Sequence, residues 1–280
     1  DYDREAITAI LDLAQSVAED QFQPFAGHLD ENEPKYVDGK VEIIPEVKQA
    51  LAAYRDAGLF LTGYDQDLGG MQLPWVVHQA LNGMFVTANT GVSSYAFLTQ
   101  GAANMLHACG SEALKAKYLP KMVEGEWFGT MCLSEPQAGS SLADIRTKAE
   151  KQADGSYRIT GTKMWISGGD HEMTDNIIHM VLAKVPGGPA GVKGISLFLV
   201  PKHRVNDDGS IGESNNIALA GLNHKMGHRG TTNCLLNFGE SGDTIGYGLR
   251  AGRAIKYAGN RIGYRLRSRL QYRTGYGSTG

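Results

Sequence analysis

The stretch Met131–Ser140 decides the fold, and it reads Met-Cys-Leu-Ser-Glu-Pro-Gln-Ala-Gly-Ser. It joins a segment with helical periodicity, which ends near Trp127, to a run of sequence typical of strands. Its small residues let a backbone approach a flat ligand closely, its hydroxyls are hydrogen-bond donors, and Pro136 favours a turn. We interpret the stretch as the boundary between two architectures and as a candidate binding segment.

A second candidate binding segment, Lys163–Gly169, reads Lys-Met-Trp-Ile-Ser-Gly-Gly. Trp165 offers an aromatic face, Ser167 a hydroxyl, and the two glycines allow close approach of the backbone. The alternatives are purely structural roles: Trp165 packs between strands, and Ser134, in the first segment, is an ordinary turn residue.

Length and composition predict a soluble globular protein of two domains. The chain has 280 residues, of which 42% are hydrophobic and 20% charged, with a net charge of -3 that favours no class of partner. Its cysteines are Cys109, Cys132 and Cys234. Their odd number and wide spacing predict neither a disulfide framework nor a metal site, and favour a reducing compartment. The first residues lack the pattern of a signal peptide.

Apolar periodicity predicts a helical first half. One helix is expected over Asp3–Phe22, ending before Pro24, and a second over Glu46–Ala57, with Pro45 in its first turn and Gly58 as its cap. The segment 59–74 is predicted to be a loop because of its glycines and Pro74.

Residues 68–111 contain no Asp, Glu, Lys or Arg. Their many amides and hydroxyls argue against a membrane span, and the pattern predicts two largely buried helices split near Asn89. Such helices suit the wall of a deep apolar pocket or a plain helical core, and the pattern does not decide between these. Ser111 is predicted to cap a short helix through Tyr118 that Pro120 ends.

Beyond Trp127 the spacing of apolar residues changes from the helical period to the alternation of inward and outward residues that is typical of strands. A hairpin is predicted from strands 147–152 and 157–167, with further strands at 177–184, 194–201 and 234–238. The predicted fold class is therefore α+β, a helical N-terminal domain at 1–128 followed by an antiparallel β-barrel or sandwich at 129–240. No glycine pattern of a Rossmann or P-loop unit is present.

Residues 241–280 form an unassigned tail rich in Gly, Arg and Tyr. From Gly248 onward it holds eight of the 27 Lys and Arg residues and none of the 30 Asp and Glu residues. Three interpretations remain open: an altered sequence in place of a further domain, a solvated basic arm, or an arm that binds nucleic acid through cations and stacked tyrosines.

The order of these motifs resembles the N-terminal and middle domains of the acyl-CoA dehydrogenase family. The resemblance covers about Asp3–Gly239 and departs from the family pattern at Ser141, where the family commonly has Asp. Among family members, it is closest to the larger ones that act on 3-methylmercaptopropionyl-CoA or long acyl chains. The motifs that carry it, besides the two candidate segments, are Asp67–Gly70, Gly110–Glu112, Lys117–Pro120, Gly194–Pro201 and His224–Gly227.

The resemblance implies FAD as the cofactor. Trp165 would pack against the isoalloxazine, Ser167 would form a hydrogen bond near flavin N5, and Ser140 would lie by the CoA arm and donate to the substrate. The residues implied in cofactor binding are Met131, Cys132, Leu133, Ser134, Gly139, Ser140, Trp165, Ile166 and Ser167.

The reaction implied is α,β-dehydrogenation of an acyl-CoA thioester, by proton abstraction and hydride transfer to flavin N5. In the family the base usually lies in a C-terminal helical domain that is not recognisable here, so no catalytic residue and no metal is assigned. Glu135 is interpreted as structural. His171 is expected to cap Asp175 or its neighbours, the alternative being the flavin edge, and Arg229 to be a solvated loop residue, the alternative being a phosphate or a partner subunit.

The resemblance also implies partners and a place in the cell. An electron-accepting flavoprotein and a homo-oligomer are expected, in the fatty acid metabolism of the cytoplasm or of a mitochondrial matrix, with no membrane span and no nucleic acid. Two alternatives stay open: an acyl-CoA oxidase, and a non-catalytic flavoprotein that binds DNA or another partner on the same scaffold.

Overall fold

A computed structural model of the protein describes residues 2–249. The basic tail from residue 250 onward, with its three interpretations, lies outside the described residues. The helices of the first half are α1 (Arg4–Val17), α2 (Ala26–Glu31), α3 (Pro45–Asp56), α4 (Trp75–Cys109) and α5 (Glu112–Val123).

The first helix begins where the sequence predicts. The Asp3 carboxylate caps α1 by accepting a hydrogen bond from the Ala6 N–H at 2.8 Å. A π-helical turn, Ala18–Phe22, follows α1, and Pro24 lies in the 3-10 turn after it, so the helix does end before Pro24. In α3, Pro45 occupies the first turn and Gly58 adopts the left-handed conformation just beyond the end, both as predicted.

The uncharged segment forms one long helix, α4, with a kink. Asn89 has φ -159° and ψ 93°, and its side-chain amide donates to the Phe22 carbonyl at 3.1 Å. The predicted break is therefore present at Asn89, although helical hydrogen bonding continues on both sides of it. The described part of the chain has no helix long and apolar enough to cross a membrane.

The predicted end of α5 is wrong. Ser111 caps the helix, as expected, by accepting from the Leu114 N–H at 3.3 Å, but the helix continues through Pro120 to Val123. A proline inside a helix removes one backbone hydrogen bond, at a cost of about 3 kcal/mol. Burial of Met122 and Val123 in the core offsets that cost, and the Pro120 carbonyl still accepts from the Glu124 N–H at 2.9 Å.

The second half is a β domain. A short hairpin, β1 (Lys35–Val37) and β2 (Lys40–Glu42), precedes it and was not predicted. The remaining strands are β3 (Phe128–Cys132), β4 (Lys148–Lys151), β5 (Tyr157–Ser167), β6 (Ile177–Lys184), β7 (Ile195–Pro201), β8 (His203–Val205), β9 (Ile211–Ser214), β10 (Ile217–Leu222), β11 (Asn233–Phe238) and β12 (Thr244–Gly248).

The sheet confirms the predicted antiparallel β domain and adds parallel pairing, which was not expected. Its order is β10-β11-β5-β12-β7-β6-β3, and β4 pairs with both β5 and β6, which closes a circuit of five strands as in a small barrel. The pairs are antiparallel except for β3 with β6, which is parallel, and a single parallel pairing of β4 with β6. The predicted hairpin and the strand at 177–184 are confirmed.

The helical half and the β domain meet at α4 and β3. Gly129 in β3 donates its N–H to the Thr99 hydroxyl of α4 at 3.1 Å. A Cβ atom at Gly129 would lie 2.5 Å from the Ala102 side chain and 2.9 Å from Met122. The strand therefore approaches the helix more closely than any other residue type would allow.

We expect Gly129→Ala to destabilise the chain by about 1–3 kcal/mol, because the added methyl group overpacks this contact. Gly101→Ala in α4 is the matched control, since nothing lies within 4 Å of its Cβ position. The control is expected to be neutral or to stabilise by up to about 1 kcal/mol. Urea unfolding of both variants is the measurement, and equal midpoints for the two would contradict the close packing.

Candidate functional site

The centre of the candidate site is a bulge in β5. Lys163 pairs with Leu236 and Ile166 with Cys234, so Met164 and Trp165 together stand opposite the single residue Leu235. Trp165 has φ +64°, a left-handed conformation that strains a residue other than glycine. Its side chain remains 53% exposed. The bulge therefore directs a large aromatic ring toward solvent. Bulges that redirect side chains in this way are common next to active sites.

The bulge joins the two candidate segments directly. The Met164 N–H donates to the Ser134 carbonyl at 3.0 Å, and the Lys163 ammonium donates to the Leu133 carbonyl at 2.9 Å. Two stretches about 30 residues apart in the sequence are thus held in contact through backbone groups, and Ser134 and Trp165 belong to one structural unit.

The loop after β3 closes on itself in a tight turn. Glu135 and Ala138 exchange two backbone hydrogen bonds, of 2.8 and 3.0 Å, around Pro136. Gly139 and Ser140 follow the turn and are exposed, and nothing lies within 4 Å of a Cβ position at Gly139. The turn thus leaves open space beside an exposed backbone.

Several donors of this loop have no partner in the protein. Within residues 2–249, no acceptor bonds the backbone N–H groups of Ser134, Gly139 and Ser140 or the Ser134 hydroxyl. Unpaired backbone donors beside an exposed aromatic ring fit a flat, polar-edged ligand.

The Glu135 carboxylate is buried beneath the loop and fully bonded. It accepts from the Arg146 N–H at 2.6 Å, from the Thr147 N–H at 3.0 Å and hydroxyl at 2.5 Å, and from the Lys163 ammonium at 2.9 Å. Gln137 adds a further bond of 2.8 Å. These five hydrogen bonds leave the carboxylate no free lone pair for proton transfer, which supports a structural role.

Two opposing effects set the pKa of Glu135. Burial by itself raises it, but hydrogen bonds from Thr147 and Arg146 and the charge of Lys163 together lower the pKa to about 2. Burial lowers the pKa of Lys163, and the attraction of Glu135 opposes that shift. The side chains of the pair are 3% and 0% exposed. The pair is therefore an ion pair removed from water, with its carboxylate ionised at neutral pH.

Two of the residues predicted to bind a cofactor turn their side chains into the core. Cys132 and Ile166 are 0% and 1% exposed. The Cys132 thiol lies 3.8 Å from His179 Nδ1, and burial raises the pKa of the thiol to about 11. Any contact of these two residues with a ligand at the surface would be through their backbone.

Other predicted residues lie on the border of the site. Met131, Leu133 and Ser167 are half-buried, and the Ser167 hydroxyl accepts from the Asn233 side-chain amide at 3.2 Å. Gly168 then adopts φ +64° and donates its N–H to the Thr232 carbonyl at 2.9 Å. The end of β5 is thus held firmly against β11.

The expectation for His171 is confirmed, whereas the expectation that Arg229 is solvated is wrong. His171 is buried, with edge contacts to the rings of Tyr95 and Phe128, and burial lowers its pKa to about 3. Its Nδ1 accepts from the Met173 N–H at 3.3 Å, so it caps a neighbour of Asp175. Arg229 is half-buried rather than solvated, and its Nε has no partner among residues 2–249.

Sequence reasoning missed the role of Lys163. A lysine placed in a strand between apolar residues, together with a glutamate in an otherwise neutral loop, is a charge-complementary pattern that would have suggested the pair. The described residues contain no group of three or more His, Cys, Asp or Glu side chains that could hold a metal ion.

Comparison with known proteins matches two consecutive segments of the chain to domains of one enzyme family. The family description "Acyl-CoA dehydrogenase, N-terminal domain" matches residues 4–126, and "Acyl-CoA dehydrogenase, middle domain" matches residues 130–240. The chain therefore belongs to the acyl-CoA dehydrogenase family.

Individual relatives agree with this assignment. The chain is 39% identical over 200 residues to the 3-methylmercaptopropionyl-CoA dehydrogenase of Ruegeria pomeroyi, which covers 71% of this chain and 34% of that protein. It is 38% identical over 250 residues to a butyryl-CoA dehydrogenase of Syntrophomonas wolfei, covering 88% of this chain and 41% of that protein. The chain thus spans less than half the length of these two relatives.

A solved structure shares the fold. The acyl-CoA dehydrogenase of Bacillus anthracis, crystallised in complex with FAD, superposes with a TM-score of 0.72 at 21% identity. The match covers 93% of this chain and 40% of that one. At this identity the comparison establishes the architecture alone.

The low pKa of Glu135 predicts a specific pH dependence of stability. A carboxyl whose pKa falls from 4.5 to about 2 on folding stabilises the protein above pH 4.5, and this contribution is lost as the pH falls from 4.5 to 2. The reference is Lys163→Met/Glu135→Gln, which carries neither charge. Between pH 5 and 2 we expect the parent chain to lose about 3 kcal/mol more unfolding free energy than this variant.

Urea unfolding at a series of pH values measures both curves. Parallel curves would show that the carboxyl is not held in its ionised form by the fold.

Proposed function

We propose that the protein acts as an FAD-dependent acyl-CoA dehydrogenase, which removes the α proton and the β hydride of an acyl-CoA thioester. The observation that supports this most is the bulge of β5, where the exposed Trp165 directly follows Met164, whose N–H is bonded to the carbonyl of Ser134. An aromatic face next to outward donors is what a flavin ring requires of a protein.

The residues present fit FAD. Trp165 would pack against the flavin ring, Ser134 and Ser167 would donate to its polar edge, and Gly139 and Ser140 would lie against its pyrophosphate and the CoA arm of the substrate. Met131, Cys132, Leu133 and Ile166 would contribute backbone contacts. When bound, FAD supplies the hydride acceptor of the reaction.

The chain's own residues bind, orient and exclude water. Donors at Ser134 favour negative charge at the ligand edge that they face, which is the electrostatic contribution expected of preorganised N–H groups. The buried wall formed by α4 and β3 keeps solvent from the inner side of the loop. We assign no base within residues 2–249, because Glu135 has its lone pairs occupied and its pKa lowered to about 2.

We further propose an acyl-CoA substrate, an electron-accepting flavoprotein as partner, and a homo-oligomeric protein. A reducing compartment such as the cytoplasm fits Cys109, Cys132 and Cys234, which are free and buried. Within the family, we propose a substrate range like that of the larger members, which includes 3-methylmercaptopropionyl-CoA.

Titration with FAD tests the cofactor. We expect saturable quenching of protein fluorescence and a shift of the flavin absorption band in the full-length protein, which serves as the parent for the variants. Trp165→Ala is expected to raise the Kd for FAD about tenfold, because stacking on an aromatic ring contributes about 1 kcal/mol or more. Trp165→Phe, the matched control, keeps an aromatic face and should stay within about threefold of the parent. Equal Kd values for the Ala and Phe variants would rule out stacking on this residue.

The reaction itself is tested in the full-length protein. Anaerobic addition of butyryl-CoA, a long-chain acyl-CoA or 3-methylmercaptopropionyl-CoA should bleach the flavin band, and the extent of bleaching ranks the substrates. A flavin band that none of these thioesters changes would contradict dehydrogenation. Oxygen uptake during turnover would instead identify an oxidase.

A further inference from the structure

Lys163 makes two hydrogen bonds with different consequences. One, of 2.9 Å, joins its ammonium to the Glu135 carboxylate, and the other, also of 2.9 Å, joins it to the backbone carbonyl of Leu133. The first neutralises a buried charge. The second holds the Leu133 carbonyl in the loop that carries the Ser134 donors, so this bond bears on how the loop meets a ligand.

The second bond fixes the direction of the Ser134 N–H. The peptide bond between Leu133 and Ser134 is trans, because the described chain contains no cis peptide bond. In a planar trans peptide the C=O and the following N–H point in opposite directions. Since the Leu133 carbonyl points at the buried ammonium of Lys163, the Ser134 N–H must point away from it.

The same strand holds the other side of the peptide. The Ser134 carbonyl accepts from the Met164 N–H at 3.0 Å, one residue after Lys163 in β5. Two consecutive residues of β5 therefore fix two consecutive carbonyls of the loop, Leu133 and Ser134. The two peptide planes that flank the Ser134 Cα are therefore both held by hydrogen bonds. Trp165 is the next residue of β5 after Met164.

We propose that Lys163 is a positioning residue for the flavin site: by holding the Leu133 carbonyl inward, it presents the Ser134 N–H to the ligand that stacks on Trp165. This rests on the proposed function, since it presumes that the ligand is FAD. Glu135 neutralises the charge of Lys163 and is itself anchored by Thr147 and Arg146.

The test separates the two bonds of Lys163. Glu135→Gln removes the carboxylate charge but keeps an amide oxygen that accepts from Lys163, so the ammonium bond to Leu133 is retained. Lys163→Met/Glu135→Gln removes that bond as well. Both variants lack the carboxylate and differ only at Lys163. Ile159→Val, in the same strand but six residues from Trp165, controls for general loosening of the β domain.

FAD affinity and the flavin spectrum are the readouts. We expect Glu135→Gln and Ile159→Val to bind FAD within about threefold of the parent chain, and the double variant to bind about tenfold more weakly, with a flavin absorption band closer to that of free FAD. If the double variant matches Glu135→Gln in Kd and spectrum, or if Glu135→Gln alone loses as much affinity, the positioning role is refuted while the cofactor assignment stands.

A measurement on the parent chain needs no variant. Amide hydrogen exchange, read by NMR on ¹⁵N-labelled protein, should show the Ser134 N–H exchanging freely without FAD and at least about tenfold more slowly with it. A Ser134 amide that is already protected without FAD, or that FAD does not protect although it binds, overturns the proposal. A full-length protein that binds no FAD when FAD is in excess overturns both this proposal and the cofactor assignment.

Discussion

The buried ion pair between Glu135 and Lys163 is the interaction on which the site depends. Two charges withdrawn from water cost several kcal/mol each, and their attraction returns that cost only when every remaining donor and acceptor is bonded. Here Thr147 and Arg146 complete the carboxylate and the Leu133 carbonyl completes the ammonium. An apolar pair of similar volume is often as stable, so we infer that the charged pair contributes a defined geometry more than it contributes stability.

That geometry connects the two halves of the molecule. β3 lies against α4 through Gly129, and the loop that leaves β3 is tied at once to β5 by Lys163 and Met164. The helical half thus fixes where the loop begins, and the barrel fixes which way its peptide groups face. Within residues 2–249 the donors at Ser134 remain unpaired on a loop whose carbonyls are held by β5, which is how a rigid scaffold keeps binding groups available.

Local signals in the sequence predicted what is local in the structure. The cap at Asp3, the proline start at Pro45 and the strand at 177–184 each depend on a few neighbouring residues, and each is found. The sequence does not predict the strand Phe128–Cys132, because its parallel pairing with β6 is made by residues about 50 positions away. The low helix propensity of Pro120 predicts a helix end. The prediction fails because packing against the core, which a sequence window does not contain, outweighs that propensity.

The candidate site likewise has features that the sequence predicts and features that only the folded chain shows. Its residue types and order pointed to Met131–Ser140 and Lys163–Gly169, while the contact between them, the part played by Lys163 and the conformation of Trp165 are properties of the folded chain. That conformation also limits how this region can change in length. Lys163 and Ile166 both face the core although two residues separate them, because the extra residue of β5 resets the alternation of inward and outward side chains. Losing one of these two residues would restore a regular ladder and remove the left-handed backbone conformation of Trp165, so the orientation of the indole depends on the spacing of this segment as well as on its composition.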